Sequence, residues 1–335
     1  MHHTTVSAGR LVMLLLACAI TTRAATSVYE IVVDGSQTYQ RIEGFGTCLF
    51  PHRTNPKYYA REEFPRLYAV EMGLNMLRIN ISFFPCEPFD NPDDVTWRDI
   101  EETKQGAVFT TFIKRVQQIN PELRLLATVW TPPAWMKVNQ SPHNGGQRNR
   151  GILASSYRHA KGGGVSDNRV TPDKYEHFAA WLVAVTAFFA SNGMPLYALS
   201  PANEVRFSQT YVSCVWTAED YARMLGILGD RMKKSGCGNV LLFGPEDMTG
   251  HVHKEGTPAY LHAVMNHAKA RGYLSRFATH GYTDGVIEDV SEASSRALWD
   301  VLKPYGLVFW MTEGGTGPHA WPTPVTQGVG VGLHN

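Results

Sequence analysis

The sequence is poor in cysteine, in net charge and in long apolar runs. Five of its 335 residues are cysteine, and their spacings do not match the Cys-x-x-Cys knuckles of structural zinc sites. Lys plus Arg total 31 against 30 for Asp plus Glu, a formal net charge of +1, which argues against bulk electrostatic binding to nucleic acid or anionic lipid. No stretch of the sequence reaches the roughly 18 consecutive apolar residues that a membrane span needs. We therefore expect no nucleic-acid partner and no membrane span.

One short apolar run stands near the start of the chain. Residues 11–20 are apolar, Arg10 precedes them, and Thr22 and Ala24 stand where a signal peptidase would cut. The run is too short to cross a bilayer, so we predict a signal peptide over residues 1–24 and a secreted, extracellular or periplasmic protein. Four cysteines remain in the mature chain, and three disulfide pairings or free buried thiols fit them equally well. These cysteines are Cys48, Cys86, Cys214 and Cys237.

The rest of the composition is that of a globular protein. Hydrophobic residues make up 44% and charged residues 18%, which is too apolar for a disordered chain. The length suits two average domains or one large α/β barrel with additions. Aromatic residues reach 11%, a supply that suits stacking on sugars and equally suits a large core.

Short β-branched runs alternate with helical patterns along the chain. The predicted strands are 44–50, 75–82, 124–130, 196–204, 240–247, 277–282 and 307–314. Several are continuously apolar, as expected of parallel strands buried on both faces. Helix starts are indicated at Thr171-Pro172-Asp173, at Thr217 and at Ser291, and Gly193 and Gly236 are predicted to end helices.

The alternation predicts a parallel α/β fold of the (β/α)8 TIM-barrel type, incomplete with about seven βα units. The alternative, an open doubly wound sheet, lacks its usual Gly-x-Gly-x-x-Gly loop after the first strand. A strand–turn–strand pattern precedes the barrel, so we predict a β-hairpin of an accessory domain over 25–42 and the catalytic barrel over 43–335. Residues 141–170 are predicted to form one long functional loop after the third strand.

Polar and aromatic residues gather where the predicted strands end, which is where a barrel carries its catalytic groups. In chain order these are Arg78 and Asn80, 130–135, Asn203 and Glu204, Glu246 and Asp247, 280–282, and 310–314. Glu204 and Glu313 thus lie at the ends of strands four and seven, across the barrel from each other. Glycosidic cleavage needs two such carboxyl groups, one protonated and one ionised.

Other strand-end residues fit supporting roles. Arg78 and Tyr282 are suited to keeping the second carboxylate ionised, because a nearby guanidinium lowers a carboxyl pKa. The rings of Trp130, Trp135 and Trp310 are suited to stacking on a pyranose. Each has a plainer alternative, since strand-end tryptophans and His280 fit a core as well. Glu246 and Asp247 also stand at a strand end, and nothing local excludes them as catalytic.

The motifs resemble glycoside hydrolase family 30, within the clan of retaining (β/α)8 glycosidases. The matching stretches run in family order from residue 28 to about 316. They are 39–46 (Tyr-Gln-Arg-Ile-Glu-Gly-Phe-Gly), 77–79 (Leu-Arg-Ile), 130–137 (Trp-Thr-Pro-Pro-Ala-Trp-Met-Lys), 203–204 (Asn-Glu), 280–282 (His-Gly-Tyr) and 310–314 (Trp-Met-Thr-Glu-Gly). The first and third are specific in combination.

The resemblance implies a secreted retaining β-glycosidase that acts on a carbohydrate, as a monomer, with no metal or organic cofactor. It makes Glu204 the general acid/base and Glu313 the nucleophile. It also implies supporting roles, with Asn203 at the sugar 2-hydroxyl, Trp130 in the −1 subsite, and Arg78, His280 and Tyr282 around the nucleophile. Trp135 and Trp310 are expected to bind substrate from the strand-end argument.

The sequence departs from the family at two places. The segment after strand two offers only Glu87 as a sugar-binding acid, which weakens the expectation of glucosylceramide recognition. After Glu313 the sequence has 22 residues, too few for an eighth βα unit and an accessory β-sandwich. We therefore keep two alternatives open. One is a catalytically impaired carbohydrate-binding homologue or fragment, and the other is a metal-dependent hydrolase using Asp247, His251, His253 and His280.

Overall fold

The structure is a computed structural model. It describes residues 34–37, 41–48, 57–144, 158–159, 167–209, 211–248, 256–282 and 291–314. The predicted signal peptide, most of the predicted hairpin, His251, His253 and the residues after 314 lie outside these ranges. The chain divides into a unit of residues 1–43 and a unit of residues 44–335. In the first unit, the predicted turn is seen: the Asp34 carboxylate accepts hydrogen bonds from the Ser36 amide (3.0 Å) and hydroxyl (2.7 Å).

Seven strands form one parallel sheet in the second unit. They are β1 (Gly46–Cys48), β2 (Met76–Asn80), β3 (Arg124–Thr128), β4 (Leu196–Ser200), β5 (Leu241–Met248), β6 (Leu274–His280) and β7 (Val308–Glu313). Neighbours along the chain are neighbours in the sheet, and every pair is parallel. This singly wound order is that of a (β/α) barrel and excludes the doubly wound alternative. The seven-stranded α/β prediction is confirmed.

Helices follow the strands in alternation. The α-helices are α1 (Lys57–Ala60), α2 (Glu63–Arg66), α3 (Lys104–Ile119), α4 (Tyr175–Ser191), α5 (Ala218–Lys234), α6 (Thr257–Asn266) and α7 (Ser291–Leu302). Single 3₁₀ turns are Ile81–Phe83, Trp97–Asp99, Ala134–Met136, Pro172–Lys174, Ala270–Gly272 and Lys303–Tyr305, and a π-helical turn covers Leu67–Glu71.

The helix boundaries follow local chemistry. The Thr217 hydroxyl accepts a hydrogen bond from the Asp220 amide (3.1 Å), which caps α5 as predicted. Thr171 stands before a 3₁₀ turn instead of capping α4 directly, and its hydroxyl donates to the Met136 carbonyl (3.2 Å). Gly193 (φ +78°) and Gly236 (φ +77°) adopt the left-handed conformation that ends a helix, as predicted.

Two apolar layers hold the sheet. The larger packs the outer strand faces against the helices, with Phe109, Phe112, Phe178, Trp181 and Tyr221 among its fully buried rings. A small inner cluster fills the barrel interior from five strands. Its members are Met76, Leu126, Ala198, Phe243 and Ala278. Residues from successive strands meet there because their side chains share one face of the curved sheet.

The two outer strands of the sheet carry exposed apolar side chains. Val308, Phe309 and Met311 of β7 are each more than a third exposed, and Phe45 just before β1 is also exposed. Within the described ranges, no further strand pairs with the free edges of β1 and β7. The sheet is therefore an open barrel, and both edges show the exposure expected from seven units. Among the described residues, no helix has the length and hydrophobicity needed to cross a bilayer.

The loops after β3 and β4 meet beside the barrel mouth. A two-stranded antiparallel ribbon pairs Arg158–His159 with Phe207–Ser208. Buried Lys137, the last residue of the Trp-x-x-Pro-x-Trp-Met-Lys stretch, donates from Nζ to the Thr131 hydroxyl (3.1 Å) and the Ser213 carbonyl (2.9 Å). Burial lowers the pKa of Lys137 to about 8. This amine therefore joins the two loops that border the site.

Candidate active site

Charged side chains from five barrel positions converge at the carboxyl ends of the strands. Arg78 lies within β2, Glu246 within β5, His280 ends β6 and Glu313 ends β7. Glu204 lies just beyond β4, which ends at Ser200 and not at residue 204 as predicted. The predicted meeting of Glu204 and Glu313 is therefore seen in the geometry, although 109 residues separate them in sequence.

Glu204 and Glu313 approach closely on either side of His280. One oxygen from each carboxyl group and a nitrogen of His280 lie within 4.8 Å of one another. His280 Nδ1 is 3.0 Å from Glu204 Oε1, and His280 Nε2 is 3.7 Å from Glu313 Oε2. The imidazole therefore lies between the two acids and contacts each with a different nitrogen.

Arg78 contacts residues on several strands of the site. Its Nη1 donates to Glu313 Oε2 (2.7 Å), and its Nη2 donates to the Asn203 side-chain oxygen (2.7 Å). Its Nε donates to Glu246 Oε1 (3.0 Å), and the guanidinium carbon lies 4.5 Å from the Trp130 ring centroid. The guanidinium is buried, so these ion pairs are little screened by solvent. Trp130 supports the cation from the face of its ring.

Glu313 is held in its ionised form. Burial opposes ionisation, but the charges of His280 and Arg78 and the hydrogen bond from Tyr282 outweigh it and lower the pKa of Glu313. The Tyr282 hydroxyl donates to Glu313 Oε1 (2.8 Å), so both carboxylate oxygens have donors. The backbone also fixes this strand end, because the Gly281 amide donates to the Glu313 carbonyl (2.8 Å). An ionised, oriented carboxylate of this kind is suited to nucleophilic attack.

Glu204 sits in different surroundings. The Glu204 side chain is hydrogen-bonded to His280, whereas the Glu313 side chain accepts hydrogen bonds from Arg78 and Tyr282. Burial alone lowers the pKa of an imidazole, but the Glu313 charge and hydrogen bonds with Glu204 and Glu246 raise the pKa of His280 to about 9. The two acids therefore differ in environment, which is the arrangement that separates an acid role from a nucleophile role.

The backbone is strained at two acids of the site. Among the described residues other than glycine, three have positive φ: Gln140 (+47°), Glu204 (+47°) and Glu246 (+57°). Such conformations cost about 1–3 kcal/mol each and persist where the surroundings enforce them, often at functional sites. The Glu204 amide donates to the Glu246 carbonyl (3.1 Å), which ties the two strained residues together.

Glu246 contacts both Arg78 and His280, which the sequence did not indicate. Its side chain is fully buried, and its Oε1 lies 3.0 Å from Arg78 Nε and 2.9 Å from Arg78 Nη2. Burial opposes ionisation, but Arg78 and His280 outweigh it and lower the pKa of Glu246 to about 2. In the sequence, Glu246 can be recognised only as an acid at a strand end. Local sequence does not distinguish Glu246 from its neighbour Asp247. Asp247 instead accepts a hydrogen bond from the Thr257 hydroxyl (3.2 Å).

Cys48 also reaches the site, and the sequence assigned it no role there. Its sulfur lies 3.2 Å from Arg78 Nη1, at the end of β1. Burial raises the pKa of this thiol to about 12, so it is a neutral neighbour of the guanidinium. All four cysteines of the described ranges are free thiols, which resolves the choice left open between pairing and free thiols.

Two predicted substrate-binding tryptophans, Trp310 and Trp135, pack against other side chains. Trp310 packs against the inner barrel cluster, with its ring centroid 5.4 Å from that of Phe243 and 6.3 Å from that of Tyr197. Its side chain packs against the inner cluster of the barrel, three residues before Glu313. Trp135 lies in a 3₁₀ turn, where its Nε1 donates to the Cys86 carbonyl (3.1 Å) and its ring packs on Phe89. Packing contacts therefore hold both rings, and their contact with substrate stays a prediction.

Glu204, His280 and Glu313 have a spacing that would also suit a cation. Both Glu313 oxygens already accept hydrogen bonds from Arg78 and Tyr282, and His280 Nδ1 is engaged with Glu204. A guanidinium and a protonated imidazole at this point repel a divalent cation. We therefore assign no metal ligands here. In the metal-hydrolase alternative, Asp247 has other partners, and its two neighbouring histidines lie outside the described residues.

The chain matches a known family model over most of its length. The model for the glycosyl hydrolase family 30 TIM-barrel domain matches residues 76–329. A Caenorhabditis elegans protein that carries a glucosylceramidase name is 23% identical over 275 residues, covering 76% of this chain and 48% of that protein. The endo-1,6-beta-D-glucanase of Neurospora crassa is 20% identical over 264 residues, covering 74% of this chain and 47% of that protein. The chain thus spans about half the length of the curated relatives it matches.

Solved structures agree on the fold. The family 30 subfamily 8 xylanase Xyn30A of Clostridium acetobutylicum superposes with a TM-score of 0.57 at 22% identity, covering 84% of this chain and 58% of that one. The family-model match covers every strand end that carries a charged residue of the site, from Arg78 to Glu313. With its seven parallel strands and its matched domain, this chain belongs to glycosyl hydrolase family 30.

Proposed function

We propose that the protein is a retaining β-glycosidase that hydrolyses β-linked glycosides or polysaccharides by double displacement. The observation that carries the proposal is the spacing of its two acids, with an oxygen of Glu204 and one of Glu313 within 4.8 Å. Retaining glycosidases hold their carboxyl groups about 5–5.5 Å apart, whereas inverting enzymes need about 6.5–9.5 Å to admit a water molecule. The spacing supports the retaining class.

In the first step, the Glu313 carboxylate attacks the anomeric carbon of the substrate. The bond from that carbon to the leaving oxygen breaks, and Glu204 gives its proton to the leaving oxygen. Arg78 and Tyr282 hold Glu313 ionised and aimed during the attack. Asn203 lies beside Arg78 and is placed to contact a hydroxyl of the same sugar ring.

In the second step, water hydrolyses the covalent glycosyl-enzyme. Glu204, now ionised, takes a proton from the attacking water, and the bond between the sugar and Glu313 breaks. Two inversions at one carbon leave the β configuration unchanged. His280 stays hydrogen-bonded to Glu204 and so keeps the acid/base group in place through both steps.

The substrate class follows from the relatives in coarse form. Their names contain the words glucosylceramidase, endo-1,6-beta-D-glucanase and xylanase. We propose a β-linked glycoside or polysaccharide as the carbohydrate partner of this chain. Glu87, the one acid available for the sugar contact expected after strand two, is exposed. We also propose secretion, on the signal-peptide pattern of residues 1–24.

Replacement of the nucleophile tests the proposal. A panel of aryl β-glycosides is first screened with the wild-type chain to find a substrate. We expect Glu313→Ala to lose several orders of magnitude in kcat, and added azide to restore turnover with an α-glycosyl azide as product. Glu122→Gln, which removes an exposed acid just before β3 at the end of the sheet opposite the site, serves as the matched control and should keep wild-type kcat.

Three results would contradict the assignment. Unchanged hydrolysis in Glu313→Ala would show that another group attacks the sugar. Sugar binding in a calorimeter without product release from any substrate in the panel would favour the alternative of a carbohydrate-binding homologue. Inversion of configuration, seen by NMR of the first-formed product, would also exclude double displacement.

A further inference from the structure

The site contains a third carboxylate that the proposed reaction does not use. Glu246 is fully buried and lies behind the two reacting acids, with its Oε1 2.9 Å from Arg78 Nη2 and 3.0 Å from Arg78 Nε. The same oxygen lies 3.7 Å from His280 Nε2. One carboxylate thus faces both cations of the site and has no exposed surface.

The charged groups around Glu246 come from four other positions of the sheet, on β2, after β4, and at the ends of β6 and β7. Two cations, Arg78 and His280, face three carboxyl groups, Glu204, Glu246 and Glu313. Neutral groups complete the surroundings. They are Cys48 on β1 beside Arg78, Tyr282 after β6 beside Glu313, and Tyr221 on α5 behind Glu246.

The two cations form separate bridges to the two reacting acids. Arg78 offers Nη1 to Glu313 while Nε and Nη2 hold Glu246. His280 offers Nδ1 to Glu204 while Nε2 faces Glu246. The Glu204 amide is also bonded to the Glu246 carbonyl (3.1 Å), so backbone and side chain both connect these positions. A shift of Glu246 would therefore move both acids.

We propose that Glu246 is a positioning residue, whose buried carboxylate fixes Arg78 against Glu313 and fixes the His280 ring against Glu204. The inference rests on the proposed glycosidase function and assigns Glu246 no contact with substrate. The left-handed backbone at Glu246 fits this role, since a non-glycine residue keeps that conformation only where its surroundings enforce it.

The charge of Glu246 determines the direction in which its replacement moves the pH–rate profile. The negative charge of Glu246 raises the pKa of His280, and it also raises the pKa of Glu313. Removing that charge should lower both. His280 is hydrogen-bonded to Glu204 (3.0 Å), so loss of the His280 proton changes the charge beside the general acid, and we expect it to set the alkaline limb of the pH–rate profile. Glu313 sets the acid limb, and both limbs should therefore move to lower pH.

The test is the pH profile of kcat/KM for Glu246→Gln, which removes the charge and keeps the shape. We expect the alkaline limb to move down by about 1 pH unit, the acid limb to move the same way, and kcat to fall by about 10- to 100-fold. Asp247→Asn is the matched control, because Asp247 is equally buried on the same strand but contacts Thr257 and Arg206. Its limbs should stay in place.

Glu246→Asp separates charge from geometry. It keeps the charge on a shorter side chain, so the limbs should stay near the wild-type values while kcat falls. If Glu246→Gln lowers kcat but leaves both limbs of the pH profile in place, the proposal is overturned in favour of a purely structural role. Limbs that move equally in Asp247→Asn would overturn it too, since any buried charge would then suffice.

A measurement without substrate distinguishes this inference from the proposed function. The ring carbon signals of His280, assigned with a His280→Gln variant, are followed by NMR against pH. We expect wild-type His280 to titrate near pH 9 and to titrate at lower pH in Glu246→Gln. That result in a chain without hydrolytic activity would refute the proposed function and keep the Glu246 assignment. A wild-type His280 that titrates near 6.5 would overturn the assignment, even if no Glu246 variant folds.

Discussion

Replacement of Arg78 by Met is the sharpest test of how the site is held together. Burial opposes ionisation of Glu246, but Arg78, with help from His280, lowers its pKa to about 2 from an ordinary value of 4.5. That difference corresponds to about 3 kcal/mol in favour of the folded, charged form. Because the folded pKa is depressed, this stabilisation is present above about pH 4.5 and is lost as the pH falls towards about 2.

In Arg78→Met the same carboxylate loses its main counter-ion and stays buried. Breaking a buried ion pair by removing one partner costs about 3–5 kcal/mol, because the remaining charge is desolvated and unpaired. Glu313 loses its shortest ion-pair contact as well, although Tyr282 still donates to it. We expect the free energy of unfolding at about pH 7 to fall by that amount. The melting temperature should fall by roughly 5–10 °C.

The pH dependence identifies the cause. Without Arg78 the pKa of Glu246 should rise above its ordinary value, so the carboxyl group gains a proton as the pH falls from about 7 to about 4.5. The penalty of the substitution should therefore shrink by about 1–2 kcal/mol over that range in urea denaturation. Arg78→Lys, which keeps a positive charge without the planar fork, should lose less stability at about pH 7. An equal penalty for Arg78→Met at both pH values would refute the electrostatic reasoning and leave only lost packing on Trp130.

Two further substitutions test the placement of aromatic residues. Tyr282→Phe removes one hydrogen bond to an ionised carboxylate at a half-exposed position, so kcat on an aryl β-glycoside should fall by about tenfold. Its acid limb should move to higher pH, since Tyr282 lowers the pKa of Glu313; an unmoved limb would contradict the contact. Trp310→Ala should cost about 2–4 kcal/mol in urea denaturation because the ring packs inside the barrel. The KM of this variant should stay within about twofold of wild type, and a large rise in KM would restore the stacking role.

Much of the fold could be predicted because it depends on local patterns. Continuous apolar runs alternate with capped helices along the chain. A helix with short loops connects each strand to the next, so the strands can lie parallel and in chain order. The boundaries were less exact, since β4 ends at Ser200 while Glu204 stands beyond it in a left-handed conformation. That conformation depends on a backbone hydrogen bond to Glu246, a contact between segments that no local pattern encodes.

The sequence by itself determined the class of the sheet and the pair of acids at its carboxyl edge. Parallel strands end on one side, so acids placed at strand ends must meet there whatever the details of packing. Only the tertiary structure decided which side chains turn towards that edge and which turn inward. Glu246 joins the site and Trp310 packs on the inner cluster because the curvature of the barrel sets the direction of each side chain. Their partners lie on other strands, often more than 100 residues away, where no local pattern can reach.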